Sequence, residues 1–228
     1  MISTTEAQKF RKGTAALADL ARSDLSAYFG ALDLTRPEAA RDGLLEVIPV
    51  LTAQYGDAAA AMAAEWYADM RSDEGVPGGL PAVQVAQAVP DAQVTASVRY
   101  AAGSLFTPTP EQTLTTILGA LTRYVMDYSR HQVLATVKAD PEASGWQRVT
   151  RPTACGFCQM LASRGGVYTS TTAFFASHDF CHCGAVPSWD PDAKPVDVDA
   201  YKASTRRRSA ETRAADNARA RDWISTNL

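Results

Sequence analysis

Apolar residues recur every three or four positions through most of the first 140 residues, the period of helices that bury one face. Phe10, Leu17, Leu20, Leu25, Tyr28 and Phe29 mark the first stripe, and Ser3-Thr4-Thr5-Glu6 opens it as a capping box. Gly30 to Leu34 breaks the pattern. Thr35-Arg36-Pro37-Glu38 reads as a second capping box, with proline in the first turn where it loses no hydrogen bond. Behind it runs the longest stripe: Leu44, Ile48, Leu51, Tyr55, Met62, Trp66 and Met70, expected as one core-facing row, with a bend at Pro49. GVPGGLP over 75–81 is a loop, and a shorter helix is predicted from Pro90 to about Ser104. Thr109-Pro110-Glu111-Gln112, a third capping box, starts a helix carrying Leu114, Ile117, Leu121, Val125, Tyr128 and Val137. His131 lies in that helix and takes no role.

The helical period stops at Asp140-Pro141. Trp146 to Thr150 reads as a strand, and a small mixed unit follows, predicted to hang off the end of the helical body. Ser188 to Pro195 reads as a linker. From Asp199 to Leu228 the composition favours helix but offers almost no large apolar residue beyond Tyr201, Trp223 and Ile224, so that helix is marginal unless a partner orders it.

At 228 residues with 46% hydrophobic content, the chain can bury a core. A net charge of −3 argues against a surface that binds nucleic acid throughout. The charge is uneven: from Tyr201 onward seven basic residues face three acidic ones, giving the tail +4 and the remainder −7. No apolar run approaches the roughly twenty residues a bilayer span requires, so no membrane partner is expected. Nothing at the N-terminus reads as a secretory signal, which points to a reducing compartment.

All four cysteines and two of the three histidines fall between 155 and 183. Cys155 and Cys158 form a CxxC; His178, Cys181 and Cys183 form an HxxCxC, with His182 inside it. A CxxC turn can aim two thiolates at one ion while backbone N–H groups point at the sulfurs, and a second pair from a distant loop completes a tetrahedron. Four ligands are expected from Cys155, Cys158, His178, Cys181 and Cys183. Cys181 and Cys183 share a face if their segment is extended, which turns His182 the other way. The alternatives are two disulfides, or thiols buried in a small core. A thiolate-rich set makes a structural Zn2+ site, whereas catalytic zinc keeps a position open for water. The deaminase signature is not met: Pro152 is not adjacent to Cys155, and His131-Gln132-Val133 lacks the glutamate.

The order of a long helix, a WQRV strand, CxxC, a GVY segment and HxxCxC resembles the minor head proteins of tailed bacteriophages related to the head-morphogenesis protein F of phage Mu (MuF-like). That family runs C-x-x-C, G-x-V/I-Y, H-P-x-C-R-C, and Cys155, Cys158, Val167-Tyr168, His178, Cys181 and Cys183 fall on it. CGFCQMLASRG followed by VY is most similar to the forms in phages of actinobacteria. Asp179 stands where the family has proline, and His182 where it has arginine. The resemblance implies a non-enzymatic minor capsid protein acting in head morphogenesis inside the capsid. The portal or the major capsid protein would be its partner, with packaged DNA reached through the Arg206–Arg221 tail, and it would pass through the host cytoplasm during assembly. The expected fold is mainly α: a helical body (1–140), a small zinc-stabilised α+β subdomain (146–190), and a linker with a charged C-terminal helix or tail (191–228). The competing readings are a zinc-dependent hydrolase or nucleotide-modifying enzyme, and a DNA-binding zinc module.

Overall fold

The computed structural model describes residues 2–80, 83, 89–166, 168–169, 175, 177–193 and isolated positions from 209 to 222. Val167 of the GVY segment and most of the charged tail, Arg206 to Arg208 included, lie outside the described residues.

The fold is mainly helical. Helix α1 (Thr4–Gly30) is capped as its sequence predicts, with the Ser3 hydroxyl accepting from the Glu6 backbone N–H at 3.2 Å. Helix α2 (Pro37–Asp73) runs through Pro49 without a break, and α3 (Asp91–Ala102) continues into a 3-10 turn over Gly103–Phe106. Helix α4 (Gln112–Ala139) packs against α1, α2 and α3. Two expected capping boxes do not form. The Thr35 hydroxyl and N–H both turn to Asp33, and Arg36 occupies the cap of α2 without a side-chain bond. At α4 the first free amides are taken by carbonyls instead: Gln112 N–H donates to Thr109, and Thr113 N–H to Pro110.

The long stripe of α2 splits in two. Leu44, Ile48 and Leu51 are buried as expected, but beyond them the innermost face is Gly56, Ala59, Ala60, Ala63, Tyr67 and Arg71. This row of small residues lets α4 come close, and the Tyr128 ring lies against Gly56. Met62, Trp66 and Met70 sit partly buried beside it, with Trp66 stacked on Phe10 of α1 at 4.2 Å. The helix meets α4 through the small-residue face and α1 through Trp66, so it carries two apolar faces.

Strand β1 (Gly145–Val149) pairs antiparallel with β2 (Gly184–Ser188). Ser188 therefore ends a strand instead of starting a linker, and Trp189 after it is anchored, its indole N–H donating to Asp140 at 3.0 Å. Pro187 obscures this strand in the sequence, yet it pairs with Trp146. The N–H and C=O of Trp146 point away from it, to Tyr168 on the other side, so the missing proline N–H costs no ladder bond. Gly145 is required by close approach: a Cβ there would lie 2.3 Å from the Tyr168 carbonyl oxygen.

The core has two parts. One fills the space among α1, α2, α3 and α4, around Leu25, Leu44, Ile48, Val98, Leu121 and Val125. The other joins Phe10, Tyr67, Val133 and Val137 of the helices to Trp146, Tyr168, Cys158, Cys181, Cys183 and Val186. The cysteine unit is thus packed into the helical body, and among the described residues one core cluster spans both sides of the 140–146 connection.

Candidate metal centre

Two segments deliver the donors. Cys155 is the N-cap of the short helix α5 (Gly156–Ala162), which places Cys158 one turn on. The Cys158 backbone N–H bonds to the Cys155 sulfur, the knuckle expected of a CxxC turn. His178 and the Cys181–Cys183 pair come from the segment before β2. Their donor atoms form two triads sharing one member: Cys155, Cys158 and His178 lie within 4.8 Å of one another, and so do Cys158, Cys181 and Cys183. All five predicted residues are brought together, with Cys158 at the centre.

The spacing suits an ion. A tetrahedron with Zn–S near 2.3 Å and Zn–N near 2.0 Å holds sulfur and nitrogen about 3.6 Å apart. His178 Nε2 lies 3.4 Å from Cys155 Sγ and 3.7 Å from Cys158 Sγ. Its Nδ1 sits 2.7 Å from the Asp179 carbonyl and must donate to it, which leaves the Nε2 lone pair facing the thiols. All four cysteines are free thiols. His182 belongs to neither triad. Its Nδ1 donates to the Phe180 carbonyl at 3.0 Å, and its Nε2 faces Asp19 at 3.9 Å.

Electrostatics split the cluster. Hydrogen bonds from the Cys158 and Cys183 thiols, helped by the Arg130 charge, hold Cys181 far below an ordinary thiol. Cys158 is pushed up by its own hydrogen bonds to Cys181 and Cys183, with burial and the charge of both sulfurs. Burial opposes the Cys155 thiolate, but the Cys158 backbone N–H and the His178 ring outweigh it and lower its pKa. Burial also disfavours charged His178, yet its bond to the Asp179 carbonyl and the adjacent Cys155 raise it.

Two buried arginines, unremarked in the sequence, complete the surroundings. Arg130 of α4 is fully buried; its Nε donates to the Cys183 carbonyl and its Nη2 to the Cys181 carbonyl, both at 2.8 Å. Arg148 of β1 places Nη1 3.9 Å from Cys158 Sγ. The Phe175 ring takes both guanidiniums, at 4.5 Å from Arg130 and 3.7 Å from Arg148. A signal was available: Met126, Arg130, Val133 and Val137 share one buried helix face, and a charge on such a face must have a partner.

The segment carrying His178 rests on α4. Phe180, at φ +59°, donates its N–H to the Gly119 carbonyl at 3.2 Å, and Arg123 pairs with Asp179 at 2.9 Å. A Cβ on Gly119 would lie 2.8 Å from the Phe180 ring and 3.0 Å from Asp179.

Among known families, the profile described as VG15 protein matches residues 1–206, which includes every donor above. No curated protein and no solved structure matches the chain.

Proposed function

The chain belongs to the VG15 protein family, a family of phage proteins, and from that premise we propose that it is a non-enzymatic minor head protein of the MuF-like type, its cysteine unit held by one structural zinc. The observation that carries this is the convergence of the CxxC and HxxCxC donors on Cys158, docked against α4 through Arg130. Five donors are at hand for four positions, so the protein alone can close the shell without a water, which suits a structural site over a catalytic one. Cys158, Cys181 and Cys183 are buried, while Cys155 and His178 stand at the exposed side through which an ion can enter.

In this reading zinc supplies folding energy and no reaction. Thiolates and the neutral His178 Nε2 would hold the ion, while Arg130 and Arg148 offset the negative charge that three or four thiolates leave around one divalent cation. The ion would tie α5 to the segment before β2, and Arg130 ties that segment to α4. A rigid surface results, suited to docking on the portal or the major capsid protein inside the head.

Quantitative mass spectrometry of purified heads tests the assignment. The chain should be present at far fewer copies than the major capsid protein, and should co-purify with the portal when the two are expressed together. Its absence from heads would overturn the proposal.

A further inference from the structure

We propose that the groove between α1 and the segments flanking the cysteine unit is a binding site for the phosphates of duplex DNA. The groove holds about 410 Å³ and is lined by Arg11, Lys12, Arg22, Arg151, His182 and Asp19. Four of these are permanent cations against a single carboxylate, in a chain whose overall charge is −3. Such a local concentration of one sign in an otherwise acidic molecule marks a surface shaped for an anion.

The placement follows from helix geometry. Arg11, Asp19 and Arg22 are spaced along α1 by eight and three residues, so they share a face, with Lys12 at its border. Ala15 and Ala16 lie between them as a floor too short to fill the space. The opposite wall is pinned in place: Gln8 Nε2 donates to the Thr150 carbonyl at 2.8 Å, fixing the backbone next to Arg151, and Arg11 Nη1 donates to the His182 carbonyl at 3.5 Å.

The cations are only partly compensated. Asp19 is taken by Arg22 at 3.0 Å. Arg11 is buried, with its Nε on Gln8; burial lowers its pKa, the nearby Cys183 opposes this and Arg151 adds to it. Lys12 and Arg151 are exposed and form no ion pair among the described residues. The uncommitted pair, the Arg151 guanidinium fork and the Lys12 ammonium, can donate to phosphate oxygens, while Arg11 and Arg22 add to the positive field behind them. The chain's own tail, at +4, has the wrong sign to fill it. Choosing a DNA backbone over a free phosphate rests on the reading of the chain as a head protein; the preference for an anion does not.

The test is anisotropy of a labelled 20-bp duplex of arbitrary sequence, titrated with the zinc-loaded full chain at several salt concentrations. The comparison is the double variant Lys12→Gln/Arg151→Gln, which changes two exposed side chains. Both proteins also carry Arg206, Arg207 and Arg208 changed to Gln, which lowers the tail from +4 to +1 and leaves its remaining contribution the same in both. The double variant should bind at least about tenfold more weakly, with a slope of log K against log salt shallower by about 2, because each phosphate contact contributes about 0.9. Circular dichroism should report an unchanged fold. Equal affinity and slope in the two proteins would overturn the proposal. So would binding of inorganic phosphate without DNA, which would point to a small phosphorylated ligand, or competition by polyglutamate as strong as by DNA, which would point to an acidic protein. None of these outcomes bears on whether the chain is found in heads.

Discussion

At the scale of single residues, Cys158 is the donor the cluster cannot lose. It belongs to both triads, whereas each other donor belongs to one. Cys158→Ser should therefore abolish metal binding. Cys155→Ser, with a fifth donor in reserve, should weaken it by a smaller factor, and His182→Ala should leave it unchanged; competition with a chromophoric chelator measures all three. Loss of zinc in His182→Ala with retention in His178→Ala would reverse the ligand assignment. Because Cys158 is pushed up in the metal-free cluster, its proton must leave as the ion binds, so affinity should rise with pH through the neutral range. The donors were legible in the sequence because CxxC and HxxCxC are dense, short-range patterns. Arg130 and Arg148 were less legible because their role lies across the fold, where Arg130 meets carbonyls more than fifty positions away.

At the scale of elements, α4 holds the cysteine unit in place. Arg130 reaches the Cys181 and Cys183 carbonyls, and Gly119 makes room for Phe180. Gly119→Ala should push away the segment carrying His178 and so weaken zinc binding while the helices persist, which circular dichroism and chelator competition together would report. Arg130→Met should cost more stability than Arg130→Lys, since lysine keeps the charge although it cannot bridge two carbonyls. A second joint closes the other end. Asp140, at the end of α4, accepts from Tyr67 at 2.9 Å, Arg71 at 3.0 Å and Trp189 at 3.0 Å. Burial disfavours its charge, but Arg71, Trp189, the Glu142 N–H and Tyr67 win, holding the carboxyl below the usual carboxylate range. A lowered pKa stabilises the fold above the unfolded value near 4 and loses that contribution as pH falls through the folded value. Asp140→Asn should thus cost about 3–5 kcal/mol in a urea titration at pH 7, because it leaves the buried Arg71 charge with only the Val76, Pro77 and Gly78 carbonyls and no counter-charge. The cost should shrink near pH 3. Helix positions were legible from periodicity, but β2 was not, since Pro187 reads as a break and only pairing with Trp146 shows why it is tolerated.

At the scale of the whole molecule, the cysteine unit and the helical body share a core, which the sequence did not reveal because the shared residues are far apart in the chain: Phe10 and Tyr67 on one side, Trp146 and Val186 on the other. Among the described residues no helix is long and apolar enough to cross a membrane. The +4 tail is a candidate docking element for an acidic partner. Deleting residues 199–228 should leave folding and zinc content unchanged but reduce the copies recovered in heads, and full recovery would assign recruitment to the helical body. The most direct test of the structural-zinc assignment is native mass spectrometry of the full chain, purified under reducing conditions, before and after exposure to a strong chelator. One zinc per chain is expected, and its removal should make the segment after Trp146 sensitive to protease while α1, α2 and α4 stay helical. A metal-free chain with that segment equally resistant to protease would contradict it.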